Sequence, residues 1–369
     1  MKFDSPTAVM QFALQQARQG IGYVEPNPAV GSVVVDNELN LLGAGYHEKY
    51  GEAHAEINAL REAGANARGA ILYVTLEPCC HHGKTGPCTE AILQAGIAKV
   101  IVAQEDPADW VAGQGIAQLR AAGVPVEVGL LAEEARELNA PFIKLVTRKQ
   151  PYVIAKWAMT WDGKLATRTG SSQWISGEES RAVVHQLRGR MDGILVGAGT
   201  VATDDPLLTA RPSGPRVATR IVIDSQANLP VDSQLVKTID QAPVLLCTSH
   251  SAPEHKLHCL REAGVKLWQG TTNDSGRLDW NEVLTELGRR QITNLLVEGG
   301  GEIFASLREA DALDEVHVFL APKLVGGTEA VTPMEGTGLA TIPQQADLVD
   351  VEVMRTGEDI YLKGRIRRA

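Results

Sequence analysis

Residues 75–88 read TLEPCCHHGKTGPC, and this stretch decides how the first half of the chain is interpreted. Cys79 and Cys88 each follow a proline, and the triplet His54-Ala55-Glu56 lies upstream of both. One imidazole and two thiolates form a common ligand set for zinc, and three protein ligands leave the fourth position open for water. That arrangement is typical of a catalytic rather than a structural zinc site. We therefore predict that His54, Cys79 and Cys88 bind zinc.

Glu56 lies beside the first predicted ligand, and we interpret it as a proton carrier. Bound zinc lowers the pKa of its water towards about 7, and a nearby carboxylate can take that proton and return it later. If a helix begins at His54, both side chains can face one cavity. The combination of H-x-E with P-C-x-x-C is the signature of zinc-dependent nucleobase deaminases. This chain departs from it, because eight residues separate the two cysteines instead of two.

Each part of this pattern also has an ordinary explanation. A lone H-x-E triplet occurs by chance in many proteins, and a single cysteine is more often a buried, inert thiol. The joint pattern, with its prolines and a strand before Cys79, favours a catalytic site. Cys80 is a competing ligand, but it is expected to point away if Cys79 faces the metal.

Composition indicates a globular protein of two or three domains. The chain has 369 residues, 44% of them hydrophobic, and a net charge of −10 from 35 basic and 45 acidic residues. This composition excludes intrinsic disorder and collagen-like repeats, and the charge argues against a nucleic-acid partner. Five cysteines in a chain without a signal peptide argue against a disulfide framework. With no apolar run of about 18 residues, we expect no membrane partner and a cytoplasmic location.

Helical and strand patterns alternate, which predicts an α/β fold. Ser5 and Pro6 begin the first predicted helix, and a further helix is predicted over His54–Ala63, ending at Gly64. Prolines and polar residues between residues 139 and 151 mark a change of pattern. We place the boundary there, with domains at residues 1–146 and 147–369.

Two glycine clusters in the second half are candidates for cofactor binding. The run GAGTVA at 197–202, with Asp224 beyond it, matches the relaxed dinucleotide fingerprint of a Rossmann fold. A long helix should follow it, but Asp204-Asp205-Pro206 interrupts, so we reject that fold. Glu298-Gly299-Gly300-Gly301 lies between a predicted strand and a predicted helix, which favours a phosphate site at the helix N-terminus. The alternative is a tight turn without a ligand.

Several runs resemble the bifunctional riboflavin-biosynthesis deaminase/reductase family. They are residues 75–88, Pro26–Gly31 and Gly45–His47, and the eight-residue gap containing His-His-Gly-Lys is the most specific. Cys80 stands where the family usually has serine. The resemblance implies a cytidine-deaminase-like zinc domain in which Glu56 moves protons. It also implies substrate contacts from Asn27, His47, His81 and Lys84, although Asn27 could simply shape a turn and His47 could be an ordinary loop histidine.

The resemblance continues through the second half and implies a dihydrofolate-reductase-like domain that binds NADPH. The matching runs include residues 156–164, 172–175, 204–211, 220–225, 298–306 and 321–327, and Trp161 stands where leucine is more usual. The implied cofactor contacts are Ala158, Trp174, Thr200, Asp204, Ser225, Gly300, Gly301, Glu302, Ile303, Phe304, Ala305 and Ser306. The implied substrate contacts are Lys156, Ser172, Arg188, Leu208, Arg211 and Glu298.

The side-chain chemistry of several of these positions suits the binding or reaction implied for them. Arg188 and Arg211 can form a bidentate clamp on a phosphate, unless they simply lie on a solvated surface. Trp174 can stack against a nicotinamide, although an isolated tryptophan is more often part of a core. A lysine on a buried strand is unusual unless it is paired, so we expect Lys156 to be catalytic, with Glu298 as its candidate partner.

Together with the family resemblance, these patterns predict an enzyme with two active sites. One would deaminate 2,5-diamino-6-(5-phosphoribosylamino)pyrimidin-4(3H)-one with zinc. The other would use NADPH to reduce the ribosyl side chain, giving 5-amino-6-(5-phosphoribitylamino)uracil. The resemblance also implies a homodimer or larger homo-oligomer through the reductase domain. Two alternatives stay open at this point: a nucleic-acid or free-base deaminase with a recognition domain, and a structural zinc module without turnover.

Overall fold

The computed structural model describes residues 1–81, 86–108 and 112–367. The chain forms two compact units, Met1–Lys149 (unit 1) and Gln150–Ala369 (unit 2). The division lies just beyond the boundary predicted at residue 146, because the last helix of unit 1 continues to Arg148 and ends at Lys149, whose φ is +57°. None of the described helices is long and apolar enough to cross a membrane.

Unit 1 is built on a five-stranded sheet in the order β2-β1-β3-β4-β5, and β3, β4 and β5 run parallel. The strands are β1 (Gly31–Val35), β2 (Leu41–Tyr46), β3 (Ile71–Val74), β4 (Lys99–Val102) and β5 (Val126–Val128). The helices are α1 (Pro6–Arg18), α2 (Ala55–Ala63), α3 (Cys88–Ala95), α4 (Gln114–Ala121), α5 (Ala132–Leu138) and α6 (Ala140–Arg148), with a short 3-10 helix at Gly64–Ala67.

The start of α1 and both ends of α2 lie where the sequence predicts. The Ser5 side chain accepts a hydrogen bond from the Ala8 amide at 3.2 Å, and Pro6 opens α1. His54 precedes the first residue of α2, and Gly64 ends that helix with a φ of +55°. A Cβ at Gly31 would lie 2.0 Å from the Ala13 carbonyl oxygen, so this glycine lets α1 pack directly against β1.

Unit 2 is built on a nine-stranded sheet in the order β10-β9-β8-β7-β11-β6-β12-β14-β13. The strands are β6 (Tyr152–Thr160), β7 (Gly193–Gly197), β8 (Thr219–Ile223), β9 (Val244–Ser249), β10 (Lys266–Gly270), β11 (Asn294–Gly299), β12 (Glu315–Ala321), β13 (Leu348–Thr356) and β14 (Asp359–Ile366). The helices are α7 (Glu178–Arg188), α8 (Ala198–Asp204), α9 (Gln234–Lys237), α10 (Glu254–Glu262), α11 (Trp280–Arg289) and α12 (Gly301–Glu309).

Parallel pairing in unit 2 determines where a site can form. Neighbouring strands from β10 to β12 in the sheet order are parallel, whereas β14 is antiparallel to both of its neighbours, β12 and β13. The carboxyl ends of β6, β7, β8 and β11 therefore open onto one edge, where α/β sheets bind ligands. Helix α8 has seven residues and ends before Asp205, which agrees with rejecting a Rossmann unit. Both units are α/β, as predicted.

Candidate active sites

His54, Cys79 and Cys88 come together in unit 1 although they belong to three different elements. His54 precedes α2, Cys79 follows β3, and Cys88 is the first residue of α3. Their ligand atoms all lie within 4.8 Å of one another, and no other such group of three occurs among the described residues. The Nδ1 atom of His54 lies 3.5 Å from the Cys79 sulfur and 3.3 Å from the Cys88 sulfur.

This geometry and donor chemistry fit a zinc ion. Tetrahedral zinc with the usual bond lengths holds its ligand atoms about 3.6 Å apart, close to both measured separations. The pKa of Cys79 is lowered, chiefly by a hydrogen bond from the Cys88 side chain to its sulfur. The pKa of Cys88 is raised by the same contact and by burial. The two sulfurs thus share one negative charge, and a dication would allow both to be thiolates. Cys80 lies outside the group.

Glu56 is buried in the first turn of α2, beside the three ligands. Burial raises the pKa of its carboxyl to about 7, and the charge of Cys79 acts in the same direction. The Cys88 thiol also hydrogen-bonds to this carboxyl. A carboxyl in this position can gain or lose a proton near neutral pH, which is the property that a proton carrier requires.

Two of the four predicted substrate contacts in unit 1 lie together. The His47 ring is buried and meets the His54 ring edge-on, with centroids 5.3 Å apart. Its Nδ1 faces the Ala53 carbonyl oxygen at 3.1 Å and its Nε2 faces the Asn27 amide nitrogen at 3.3 Å. His81 is exposed. Lys84 lies outside the described residues.

Glu77 is a residue that the sequence reasoning did not single out. Its buried carboxylate accepts hydrogen bonds from four backbone amides, those of Asp106 (3.1 Å), Gly113 (2.9 Å), Gly115 (2.8 Å) and Ile116 (3.2 Å). It therefore ties the chain beyond β4 and the first turn of α4 to the segment that carries Cys79. The only sequence feature that could have identified Glu77 is its place in the run TLEPC, because the amides that it binds follow much later in the chain.

Unit 2 contains a cleft of about 1170 Å³ at the carboxyl ends of its central parallel strands. Most residues that the resemblance implied line it: Lys156, Ala158, Ser172, Trp174, Arg188, Thr200, Asp204, Leu208, Arg211, Ser225, Glu298, Gly300, Gly301, Glu302, Ile303, Phe304 and Ser306. Ala305 is absent from this lining, and it is buried within α12. The helical repeat turns its side chain away from the cleft.

A buried charge cluster lies at the centre of this cleft. The Nε and Nη2 atoms of Arg188 donate to the two carboxylate oxygens of Glu298 at 2.6 and 2.8 Å, and Lys156 Nζ lies 3.7 Å from the same carboxylate. Burial alone would raise the pKa of Glu298, but the charges of Arg188 and Lys156 outweigh it and lower the pKa to about 2. The pKa of Lys156 is lowered by burial, an effect that Glu298 opposes. Glu298 is thus the partner proposed for Lys156.

The structure does not contain the phosphate clamp that the sequence predicted from Arg188 and Arg211. The planar fork of Arg188 faces Glu298, so it is already engaged and does not form the clamp with Arg211 that the sequence suggested. Arg211 remains exposed, and its Nη1 donates to the Thr209 hydroxyl at 3.0 Å. Its backbone amide donates to Nδ1 of His185, a residue of the cleft that the sequence reasoning missed.

Trp174 lies at the opening of the cleft rather than in a core. Its side chain is 64% exposed, and the Arg181 guanidinium lies 4.8 Å from its ring centroid. Lys323 Nζ donates to the Trp174 carbonyl oxygen at 2.7 Å, which anchors this segment. Close by in sequence, the Ser172 hydroxyl donates to Asp204 at 3.2 Å. An exposed aromatic surface over a cleft is available for stacking on a planar ring.

The second glycine cluster forms the predicted strand, turn and helix. Gly299 ends β11 with a φ of +153°, and Gly300 precedes α12. A Cβ at Gly299 would lie 3.2 Å from the Thr200 hydroxyl, so the backbone here approaches α8 closely. The free amides of the first turn of α12 face the cleft lining and suit a phosphate group. The donor set therefore fits a phosphorylated nucleotide.

Comparison with known proteins matches each unit to a family. Residues 4–104 match the cytidine and deoxycytidylate deaminase zinc-binding region, and residues 151–362 match the RibD C-terminal domain. The chain is 43% identical to riboflavin biosynthesis protein RibD of Actinobacillus pleuropneumoniae and 41% identical to that of Aquifex aeolicus. These alignments cover 96% of this chain in both cases, and 93% and 96% of the two relatives.

Solved structures extend the similarity to the fold. Acinetobacter baumannii RibD superposes with a TM-score of 0.85 at 32% identity, covering 98% of this chain and 99% of that one. A diaminohydroxyphosphoribosylaminopyrimidine deaminase/5-amino-6-(5-phosphoribosylamino)uracil reductase from Thermotoga maritima superposes with a TM-score of 0.82 at 34% identity. That alignment covers 98% of both chains.

Proposed function

The chain belongs to the RibD family of riboflavin biosynthesis proteins, and from that membership we propose how its two units divide the work. It is a bifunctional deaminase/reductase that uses zinc and NADPH. We assign deamination to unit 1 and reduction to unit 2. The observation that carries the assignment is the cluster of His54, Cys79 and Cys88 beside a buried Glu56 in one unit, with a separate cleft in the other.

The substrate is 2,5-diamino-6-(5-phosphoribosylamino)pyrimidin-4(3H)-one. In the first reaction water replaces the 2-amino group and ammonia leaves. In the second reaction the ribosyl group is reduced, giving 5-amino-6-(5-phosphoribitylamino)uracil. Both substrates carry a phosphate, so each site needs local positive charge on a chain whose net charge is −10.

His54, Cys79 and Cys88 would hold zinc, which when bound supplies a Lewis acid that makes water reactive at neutral pH. Glu56 takes a proton from the attacking water and later delivers it to the leaving amine. The burial that raises the pKa of Glu56 to about 7 supports both steps, because the group exchanges protons readily near that pH. Only Ala55 separates His54 from Glu56, and both residues lie at the N-terminal end of α2, so the carboxyl stays on the ligand side of the helix.

Asn27, His47, His81 and Lys84 are proposed to contact the pyrimidine substrate. His47 donates from Nδ1 to the Ala53 carbonyl oxygen, so its Nε2 acts as an acceptor towards the Asn27 amide. This fixed orientation leaves the Asn27 side-chain oxygen available for the amino edge of the substrate. Burial lowers the pKa of His47, which keeps its ring neutral at physiological pH.

In unit 2, NADPH when bound supplies the hydride for reduction of the sugar carbon. Lys156 is proposed to face that carbon, where its ammonium stabilises the developing charge on the sugar oxygen. Glu298 holds Lys156 in position by its charge, and Arg188 fixes the Glu298 carboxylate through two hydrogen bonds. Arg211, together with Leu208 and Ser172, is proposed to bind the phosphorylated sugar. The glycine turn before α12 and the residues Ala158, Trp174, Thr200, Asp204 and Ser225 are proposed to hold the cofactor.

We propose that two copies of the chain associate through unit 2. Strand β13 is at the edge of the described sheet, and Val351 and Val353 on it are 53% and 66% exposed. Unpaired edge strands with apolar side chains tend to bind another chain. We also propose a cytoplasmic location, because Cys79 and Cys88 must stay reduced to bind metal.

The test is to incubate the purified protein with the pyrimidine substrate and follow the products by mass spectrometry. Without NADPH we expect a gain of about one mass unit, from replacement of an amine by oxygen. With NADPH we expect a further gain of about two mass units, from addition of two hydrogens. Removal of zinc with a chelator should stop the first gain. If a pre-deaminated substrate is not reduced in the presence of NADPH, the assignment of unit 2 is wrong.

A further inference from the structure

The basic side chains of the cleft in unit 2 are unevenly distributed. Among the described residues that line it, Lys156, His185, Arg188 and Arg211 surround Glu298 or the loop that leads to Arg211. Arg181 lies over the Trp174 ring. Arg277 is separate from all of these. It lies against the first turn of α12, where its Nη2 is 3.6 Å from the Glu302 carboxylate.

The backbone around Arg277 is held firmly. The Asn273 side-chain oxygen accepts the Arg277 amide at 3.0 Å, and the Asn273 amide donates to the Arg277 carbonyl oxygen at 2.8 Å. The next residue, Leu278, is part of the main hydrophobic core of unit 2. Beyond it, the Trp280 indole donates to the Ser306 hydroxyl at 2.9 Å, which ties this segment to α12. Arg277 is therefore a cation at a defined place on the rim of the cleft.

The sheet order indicates where the two ends of a dinucleotide would lie in the cleft. The strands β6, β11, β7 and β8 lie side by side in that order, so Lys156 on β6 and Ser225 beyond β8 are separated by about 14 Å of sheet. A dinucleotide with its reactive ring near Lys156 and its pyrophosphate at α12 has its adenosine beyond the glycine turn. Ser225, Ser306 and Arg277 line that outer part of the cleft.

We propose that Arg277 recognises the 2′-phosphate of NADPH and so sets the preference of unit 2 for NADPH over NADH. This inference rests on the proposed reductase function. The pyrophosphate is common to both cofactors and has the α12 N-terminus available, whereas the 2′-phosphate is an additional dianion that needs a cation of its own. A guanidinium binds a phosphate through two parallel hydrogen bonds.

The existing partner of Arg277 does not prevent this role. The side chains of Arg277 and Glu302 are 46% and 68% exposed, and ion pairs between exposed groups contribute little to stability. Because the pair is weak, a phosphate dianion, which a guanidinium also binds through two parallel hydrogen bonds, can replace the carboxylate.

The experiment compares direct binding of NADPH and NADH to the full-length protein by quenching of tryptophan fluorescence, for which Trp280 is a neighbouring reporter. Arg277→Met should weaken NADPH binding about tenfold and leave NADH binding within about twofold. It should also weaken binding of 2′,5′-ADP but not of 5′-AMP. Arg261→Met is the matched control, since Arg261 is 45% exposed and pairs with Glu254 on α10, outside the cleft. It should change none of these values.

The outcomes separate the two proposals. If the wild-type protein binds neither NADPH nor NADH, the proposed reductase function is wrong. If the wild type prefers NADPH and Arg277→Met keeps that preference, the assignment of Arg277 is wrong while the function stands. An equal loss of NADPH and NADH binding would also overturn it, because Arg277 would then act on the pyrophosphate or on the fold.

Discussion

At the scale of single residues, Glu298 balances two cations that would otherwise be buried without an anion. Its side chain is 6% exposed, and those of Arg188 and Lys156 are 13% and 15% exposed. Removing one partner of a buried ion pair is far more costly than removing an exposed pair, because a desolvated charge is left alone. The same carboxylate lies 3.7 Å from Lys156, so we expect both the stability of unit 2 and the activity proposed for Lys156 to depend on Glu298.

Glu298→Gln should destabilise unit 2 by about 3 kcal/mol, since the neutral amide no longer compensates Arg188 and Lys156. Urea unfolding followed by fluorescence measures this loss. Glu254→Gln is the control, because Glu254 pairs with Arg261 at 2.6 Å but is 74% exposed. Its effect should stay below about 0.5 kcal/mol. Equal effects of the two substitutions would contradict the argument.

The wild type and Glu298→Gln should also differ in how their stability depends on pH. Folding lowers the pKa of Glu298 from 4.5 to about 2, so the stabilisation is fully present above pH 4.5 and is lost as the pH falls towards 2. Between those two values the wild type should lose more stability than Glu298→Gln, which has no carboxyl to protonate. Parallel stability curves for the two proteins over that range would show that the carboxylate does not carry the effect.

Glu56→Gln should reduce deamination by a factor of about 10² to 10⁴, because the amide cannot carry a proton between water and the leaving amine. Zinc content, measured by atomic emission, and reduction of pre-deaminated substrate should both be unchanged. Glu52→Gln, at an exposed position nearby, is the control and should retain full activity. Loss of zinc from Glu56→Gln would point to a structural rather than a proton-carrying role.

At the scale of secondary-structure elements, the metal group depends on how α3 and α4 are joined to the end of β3. The Cys88 amide donates to the Cys79 sulfur at 3.4 Å, and the Thr89 hydroxyl on α3 donates to Gln118 on α4 at 2.7 Å. Glu77 completes this connection by binding the amides at the start of α4. Gly115 lets the helix come this close, since a Cβ there would lie 2.0 Å from the Pro78 carbonyl oxygen.

Glu77→Gln should loosen this connection, because an amide presents a donor to backbone amides that need acceptors. We expect unit 1 to lose about 2 kcal/mol of stability and to release zinc to a chelator faster than the wild type. A colorimetric zinc-release assay with a thermal melt measures both. Glu105→Gln, at an exposed position close by, should change neither. Unchanged zinc release in a destabilised Glu77→Gln protein would limit Glu77 to a general role in the fold.

At the scale of the whole molecule, association would be mediated by the exposed apolar edge at β13. Along this strand residues 350–355 are exposed, although β14 pairs with its inner side. In an isolated chain such an edge promotes aggregation, whereas a second copy of the chain can cover it in a specific dimer.

Val353→Glu should therefore shift the protein from dimer to monomer, because a charge on the edge strand opposes burial of that edge. Sedimentation velocity measures the change in mass. Val231→Glu is the control, since Val231 is also in unit 2, is 50% exposed and lies away from β13. A wild-type protein that sediments as a monomer would rule out the proposed dimer.

Much of the fold and part of the sites could be predicted because their signals are local. Ser5 and Pro6 predicted the start of α1, and Asp204-Asp205-Pro206 correctly excluded a long helix after the first glycine cluster. Proline and capping residues act within one turn of chain, so their effects are readable without a structure. The spacing of His54, Cys79 and Cys88 belongs to a recurring motif, and the three ligands do come together.

Contacts between distant parts of the chain could not be predicted in the same way. The fork of Arg188 was expected to bind phosphate, but it binds Glu298, which lies 110 positions away in sequence. Glu77 finds its amide partners 29 to 39 positions later. Composition and periodicity indicate which side chains are polar or buried, but they do not indicate which of several cations meets a given carboxylate.

The sequence by itself thus determined the α/β class, the candidate zinc ligands and the glycine turn, because capping, periodicity and motif spacing are properties of short segments. The tertiary structure alone decided which charges neutralise one another and which remain for a ligand. Arg188 is neutralised by Glu298 deep in the cleft, whereas Arg211 and Arg277 are left at its rim. The reason is physical: the strength of an ionic contact depends on distance and burial, which parallel packing of β6, β7, β8 and β11 sets.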